Sequence, residues 1–267
     1  MIAWIVRGLR GGRVTTDYPR HEEPAPPGFR GRVRVLEGAG DAGAAAAACP
    51  TGAIGAGADG QLTLDRGRCI LCGDCVRVAP DRFAFEARYE TAARSRTQLV
   101  TGGTPVDAAV EPLRRALGDR AGALRRSIHV RHIDCGSDGA EEWEIQALWN
   151  PYYDIQRLGF FLTAAPRHAD VLIVTGAVTR PMRAPLERTW EVMPEPKALI
   201  AVGTDACSGG LCGAGAPALA GEQPTAGGVD AVLPVDVYVP GSPPAPIAIM
   251  HGLLLATGLL GTGEVAA

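Results

Sequence analysis

Residues 169–176 read Ala-Asp-Val-Leu-Ile-Val-Thr-Gly, and residues 198–203 read Ala-Leu-Ile-Ala-Val-Gly. Each is a short apolar run that ends in a glycine turn, which is typical of a strand buried on both faces of a parallel sheet. Further strand patterns lie over 128–133 and 231–239. Helical patterns alternate with the strands, over 141–158 (broken at Pro151), 181–192 and 244–260. This alternation predicts a parallel α/β sheet in the second half of the chain.

The first half of the chain has a different character. Residues 1–35 have little periodicity and are predicted to form an extended arm, whereas residues 36–98 combine four cysteines with short apolar runs and turns. A Gly/Thr/Pro breaker over 101–105 precedes a helical pattern over Val106–Leu124. We therefore predict an arm and a small α+β domain over 1–98, a linker with a helix over 99–126, and the α/β domain over 127–267.

Composition excludes several classes of protein. Lys and Arg number 26 against 29 Asp and Glu, so the net charge of −3 argues against a general nucleic-acid-binding protein. Hydrophobic residues make up 46%, which argues against global disorder. The sequence contains no apolar stretch of membrane-spanning length and no secretory leader pattern, so the chain is expected in the cytoplasm.

Seven cysteines in a chain expected in the cytoplasm favour metal binding over disulfides. The segment Cys69-Ile-Leu-Cys72-Gly-Asp-Cys75 places three thiols at a spacing of three, which is typical of an iron–sulfur cubane. The fourth position of that pattern is Ala79, so the fourth ligand must come from elsewhere, and Cys49-Pro50 supplies it. A zinc site is the alternative, but zinc sites usually use two separated pairs of ligands.

A second set of ligand positions is lost as a whole. Counting back from Cys49 with the same spacing gives Ala45, Ala42 and Ala39, which with Ala79 would form the second ligand set. One set is complete and the other entirely alanine, so the sequence predicts a single [4Fe–4S] cluster on Cys49, Cys69, Cys72 and Cys75. The amino-acid sequence around Cys49 and Cys69–Cys75 resembles that of two-cluster bacterial-type ferredoxin domains.

From residue 127 the chain resembles the small subunit of energy-converting [NiFe] hydrogenases, a family that includes the formate hydrogenlyase small subunit and the cluster-N2 subunit of respiratory complex I. The stretches that carry the resemblance include 131–137, 151–154, 167–180, 193–197 and 234–244. The first half also resembles the ferredoxin-like subunit of the same complexes. The resemblance implies a ferredoxin-like α+β domain followed by a flavodoxin-like parallel α/β domain. The chain thus looks like a fusion of two neighbouring subunits.

The resemblance implies a proximal [4Fe–4S] cluster on four cysteines, but this chain departs from that pattern. The four corresponding positions are Asp138, Glu141, Asp205 and Ser242. They follow three different strands, so we expect them to meet at the carboxyl ends of the sheet.

Three interpretations of this pocket stay open at this point. The cluster is lost and polar groups fill its space, with the buried carboxylates paired or protonated. Alternatively, the oxygens bind a hard cation such as Mg²⁺ or Mn²⁺. In the third interpretation, a displaced iron–sulfur site uses the remaining cysteines, Cys135, Cys207 and Cys212; otherwise these are ordinary buried cysteines.

The resemblance implies an electron-transfer subunit that docks a large-subunit homologue, together with membrane subunits where the complex has them, at the cytoplasmic face of the membrane. No nucleophile–base constellation is evident, so no catalytic centre is assigned to the chain itself. The competing interpretation is a non-redox scaffold subunit of a repurposed hydrogenase-like complex, in which the cluster is purely structural.

Overall fold

The computed structural model of the chain describes residues 3–56, 62–101, 127–213 and 224–260. Its second half is built on a five-stranded sheet in which every neighbouring pair is parallel. The strands are β5 (Ile128–Asp134), β6 (Phe160–Leu162), β7 (Val171–Thr175), β8 (Ala198–Val202) and β9 (Val237–Val239). Their spatial order is β6-β5-β7-β8-β9, which is the flavodoxin-like order 2-1-3-4-5. The predicted parallel α/β domain is confirmed.

Apolar residues of β7 and β8 alternate between two cores, one on each face of the sheet. Ile173 and Ile200 face the first core, where α4 (Ala140–Ala147) and α7 (Pro246–Ala256) pack. Leu172 and Leu199 face the second, with α5 (Arg180–Glu191) and α6 (Thr204–Ser208). All ten residues of the two strands are buried, which explains the continuous apolar runs in the sequence.

The described residues of the first half, 3–56 and 62–101, form two antiparallel strand pairs and three helices. Strand β1 (Arg32–Val35) pairs with β4 (Phe83–Glu86), and β2 (Ile54–Ala56) pairs with β3 (Leu62–Leu64). The helices are α1 (Ala3–Gly11), α2 (Ala42–Ala48) and α3 (Asp74–Val78). A separate apolar core, formed by Val33, Leu64, Phe83 and their neighbours, holds the strands and the latter two helices together.

The two halves are joined by main-chain and side-chain contacts. Ala93 and Tyr238 exchange both backbone hydrogen bonds, at 2.9 and 2.8 Å, so the chain around Ala93 runs antiparallel beside β9. The Tyr18 ring is buried in the first core of the α/β domain, and the Arg157 guanidinium donates to the Tyr18 carbonyl. Leu99 belongs to the second core. The first half therefore contributes apolar side chains to both faces of the sheet.

Several expectations about secondary structure are wrong in detail. The N-terminal arm was expected to be extended, but α1 forms over Ala3–Gly11. The helix expected over 141–158 ends at Ala147, and only a 3₁₀ turn follows, over Ile155–Leu158. The extended segment expected over 231–239 is limited to β9, since residue 231 ends a 3₁₀ turn and residues 232–236 form turns and irregular chain. The helix predicted over Val106–Leu124 lies outside the described residues.

Among the residues that the structure describes, no helix has the length and apolarity needed to cross a membrane.

Candidate metal centre and the adjoining carboxylates

The four cysteines predicted to bind a cluster line a single pocket, which we call the thiol pocket. Cys49 follows α2, Cys69 and Cys72 lie on the loop before α3, and Cys75 lies in α3. The remaining lining is largely apolar: Val33, Ala53, Ile54, Leu64 and Ile70. Residues from positions 49 to 75 thus converge on one concave surface.

The backbone of the 69–73 loop adopts conformations that bend it around the pocket. Leu71 and Gly73 both have positive φ angles, +57° and +89°. A Cβ atom at Gly73 would lie 3.2 Å from the Phe85 ring, so glycine suits this position for two reasons. Arg30 donates to the carbonyls of Leu71 and Cys72 at 3.2 and 3.0 Å, and its guanidinium lies 5.0 Å from the Phe85 ring centre. These contacts fasten the loop to β4.

The thiols affect one another's ionisation. Burial, and to a smaller extent the other three cysteines, raise the pKa of Cys69 to about 11, against the opposing effect of the Leu71 N–H bonded to it. Burial also raises the pKa of Cys75, against the hydrogen bond from the Val76 N–H. The Ala53 N–H donates to the Cys49 sulfur at 3.3 Å. The pocket therefore offers N–H groups to sulfur, but several thiolates need bound positive charge before they can coexist.

The four thiols of the pocket are of the donor type that holds an iron–sulfur cluster. In the described ranges, no three His, Cys, Asp or Glu side chains are grouped to hold one metal ion. A [4Fe–4S] cluster is held by four cysteine thiolates, which is the donor set found here. The seven cysteines, all within the described ranges, form no disulfide.

Two of the four alanines at the second set of ligand positions form part of a packed core. Ala45 and Ala79 are buried in the same apolar core as Val33 and Phe83. A Cβ atom at Gly40 would lie 3.3 Å from the Ala79 Cβ atom. Side chains of the protein therefore surround Ala45 and Ala79, whereas Ala39 is exposed and Ala42 is half-buried.

The thiol pocket touches the carboxyl end of the parallel sheet. The buried Thr204 hydroxyl donates to the Cys69 carbonyl at 3.0 Å and lies 3.1 Å from the Gly241 carbonyl. The Thr204 N–H also donates to Gly241, at 2.7 Å. Pro240 and Gly241 share a second small pocket with Cys69 and Leu71. One threonine therefore connects the loop after β8, the loop after β9 and the cysteine loop.

Three of the four substituted positions carry carboxylates that influence one another; we call Asp138, Glu141 and Asp205 the carboxylate cluster. Glu141 is only 4% exposed, and its carboxylate lies against Gly203, where a Cβ atom would be 2.5 Å from Oε1. Burial first, then Asp205 and Asp138, raise the pKa of Glu141 to about 7. Burial and Asp138 also raise the pKa of Asp205.

The other residues singled out by the sequence are more dispersed. Ser242 is exposed on the loop after β9. Cys135 and Cys207 are buried in the second core, and burial raises the pKa of both thiols. Cys212 is exposed. None of these three cysteines lines the thiol pocket. The hard-cation site and the displaced cluster stay predictions.

A hydrogen-bonded network fixes the turn that carries Glu141. Ser137 donates to Glu142 at 2.6 Å, and the Thr175 hydroxyl donates to the same carboxylate. The His132 ring nitrogen lies 2.9 Å from the Thr175 hydroxyl. Glu142 is therefore held by the ends of β5 and β7, which orients its neighbour towards the sheet edge.

Sequence reasoning missed Thr204 and Arg30. Neither belongs to a cysteine pattern, and their contacts span 135 and about 41 residues of chain. The glycine turn at Gly203, after an apolar strand, was the local feature nearest to Thr204 that indicated this edge of the sheet.

The sequence model of the family described as NADH ubiquinone oxidoreductase, 20 Kd subunit, matches residues 138–256. An NADH-quinone oxidoreductase subunit of Desulfovibrio desulfuricans is 35% identical over 176 residues, which cover 62% of this chain and 90% of that protein. The chain belongs to this family. A probable membrane-bound hydrogenase subunit of Pyrococcus furiosus is 40% identical over 133 residues, 50% of this chain and 75% of that protein.

Formate hydrogenlyase subunit 7 of Escherichia coli is 42% identical over 137 residues, and the match spans about half of each chain, 51% in both cases. A chain from a structure of the membrane-bound sulfane sulfur reductase, described as an archaeal respiratory membrane complex, is 26% identical with a TM-score of 0.44, covering 56% of this chain and 79% of that one. The family resemblance implied a proximal cluster, but oxygen side chains stand at its four positions here. The residues present do not fit that cluster, because iron–sulfur clusters are held by thiolates.

Proposed function

We propose that this chain is the iron–sulfur small subunit of a hydrogenase-like or complex-I-like oxidoreductase complex, with one [4Fe–4S] cluster on Cys49, Cys69, Cys72 and Cys75. The observation that carries the proposal is the convergence of these four thiols on one pocket that abuts the family's sheet edge. Membership of the family supports a place in a multisubunit complex. The partners would be a large-subunit homologue and, where present, membrane subunits.

The surroundings of the thiol pocket suit a bound cluster. When bound, a [4Fe–4S] cluster accepts and returns an electron at a potential set by charge, hydrogen bonds to sulfur and solvent exposure. The N–H groups of Ala53, Leu71 and Val76 would stabilise negative charge on the sulfurs. The apolar lining would keep water away, and Arg30 would hold the loop in place.

The packing around Ala45 and Ala79 supports a single cluster in the first half. The two antiparallel strand pairs, with α2 and α3 beside them, support a small ferredoxin-like α+β domain. We therefore propose that this half derives from a two-cluster ferredoxin-like unit that has kept one cluster.

A scaffold role is the second candidate, and the carboxylate cluster favours it. Glu141 and Asp205 stand where the resemblance implies the next electron carrier. Without a carrier at this place, an electron on the thiol-pocket cluster would have a longer path to a large subunit. In this alternative the cluster is purely structural and the complex performs other chemistry.

The proposal is tested by purifying the full chain under anaerobic conditions and measuring iron and acid-labile sulfide, with EPR of the reduced sample. We expect about four of each per chain and one cubane signal. The variant Cys75→Ser should lose most of the iron, while Cys212→Ser, which changes an exposed cysteine outside the pocket, should keep it. About eight iron and eight sulfide, or equal iron in the two variants, would contradict the ligand assignment.

Electron transfer and scaffold roles differ in redox behaviour. A reversible couple that a physiological donor reduces supports electron transfer, whereas a cluster that stays silent across the accessible range supports a structural role. Co-purification of a large-subunit homologue that keeps both Cys-x-x-Cys nickel motifs would favour hydrogenase chemistry, and loss of those motifs would favour a repurposed complex.

A further inference from the structure

Helix α1 presents apolar side chains to solvent. Every residue from 5 to 14 is exposed, including the large apolar residues Ile5 (44%), Val6 (38%) and Leu9 (80%). At about 100° per residue these three fall within an arc of about 100°. Arg7 and Arg10 lie in the adjacent arc, so the helix is amphipathic.

This helix is too short to be stable by itself. It has nine residues, including Gly8 and Gly11, whereas isolated helices below about 12–15 residues are marginal in water. Since none of residues 5–14 is buried against the described part of the chain, the helix gains no packing there. The described part of the chain therefore leaves the apolar arc of α1 uncovered.

The segment that follows the helix is fixed to the body of the protein. The Thr16 N–H donates to the Tyr152 carbonyl at 2.8 Å, and the Thr15 hydroxyl donates to the Pro151 carbonyl at 2.9 Å. Tyr18 is 1% exposed. Helix α1 is therefore followed by a segment that is fixed to the body of the protein. The glycine pair at positions 11 and 12 lies between the helix and this segment.

Charge identifies the kind of surface. The first sixteen residues contain three arginines and no acidic residue, although the whole chain carries a net charge of −3. Arg13 pairs with Asp17 at 3.0 Å, while Arg7 and Arg10 point from the exposed helix. An apolar arc with arginines along its flank matches a layer of anionic head groups above hydrocarbon. We propose that α1 binds directly to an anionic lipid bilayer surface and lies in its interfacial plane.

The test uses the full chain, purified with its iron content intact, and vesicles of phosphatidylcholine with 30% phosphatidylglycerol, compared with pure phosphatidylcholine. We expect co-sedimentation with the anionic vesicles that weakens as salt is added. The double variant Arg7→Gln/Arg10→Gln should bind the anionic vesicles about 25-fold more weakly, roughly fivefold per arginine. Leu9→Asp should lower binding more than tenfold, since it removes apolar area and adds a repelled charge.

Leu162→Asp is the matched control, because Leu162 is 50% exposed on β6, outside α1, and its variant should bind like the parent chain. Iron content and circular dichroism verify that each variant is folded. Failure of the parent chain to bind anionic vesicles would overturn the proposal, as would equal losses in Leu9→Asp and Leu162→Asp. Self-association that depends on Leu9, without vesicle binding, would assign the apolar arc to a second copy of the chain instead.

Discussion

Replacing Glu141 by Gln should stabilise the protein, and the gain should depend on pH. The carboxyl has a pKa of about 7 in the folded chain against an ordinary value of 4.5. The folded state therefore holds a proton that the unfolded state has released between these values. Stability is highest below about pH 4.5 and falls as the pH rises to about 7, beyond which the loss is complete.

The magnitude follows from the shift. At about 1.4 kcal/mol per pH unit, a shift from 4.5 to about 7 gives an upper limit of about 3 kcal/mol at pH 8. Glutamine has nearly the same shape and cannot ionise, so Glu141→Gln should recover most of that energy. For a chain of this size we expect a rise in apparent melting temperature of about 6–12 °C at pH 8. Near pH 4.5 the rise should vanish.

Thermal unfolding followed by circular dichroism under anaerobic conditions, from pH 4.5 to 8.5, measures this difference. Glu191→Gln changes an exposed carboxylate at the end of α5 and should leave the profile unchanged. A difference between Glu141→Gln and the parent chain that stays constant across this range would refute the argument that burial and the neighbouring carboxylates set the ionisation of Glu141.

Three further predictions concern the thiol pocket. Thr204→Val should lower the free energy of unfolding by about 1–3 kcal/mol and speed iron loss on dilution into chelator, because the Cys69 carbonyl loses a buried donor. Thr204→Ser keeps the hydroxyl and should behave like the parent chain. Gly73→Ala should lower the melting temperature and the iron content more than Gly52→Ala does. Both glycines have a positive φ, but only at Gly73 would the added Cβ atom contact the Phe85 ring. Equal effects of the two variants would contradict the role of Phe85. Arg30→Met should release iron several-fold faster than Arg34→Met, since it removes two hydrogen bonds to the cysteine loop, each contributing about 1 kcal/mol. Equal release rates would show that the Arg30 hydrogen bonds do not hold the loop in place.

Local patterns predicted the elements whose environment is uniform. Strand β8 has the bounds expected from the sequence, because burial on both faces makes every residue of Ala198–Val202 apolar. Helix α1 was missed, because its amphipathic pattern lasts only nine residues and includes glycines. Strand β6 was missed because three residues carry too little periodicity to distinguish a strand.

The candidate site shows the same contrast between local patterns, which can be recognised in the sequence, and tertiary contacts, which cannot. The cysteine spacing was sufficient to propose as a set the four cysteines that line the thiol pocket. The hydrogen bond from Thr204 to Cys69 joins residues 135 positions apart, and no local pattern encodes such a tertiary contact. The raised pKa of Glu141 depends on how deeply the folded chain buries this residue. From the sequence alone, whether these carboxylates are paired or protonated stayed open.

The hydrogen-bonded pair of Ala93 and Tyr238 has a consequence for assembly. By themselves, these two hydrogen bonds would give two separate proteins only a weak affinity for each other. On one polypeptide the two surfaces meet at a high effective concentration, set by the chain that connects them. The pairing of the cysteine-bearing half with the sheet is therefore independent of mass action: it persists at any dilution, and the two halves are always present in a ratio of one to one.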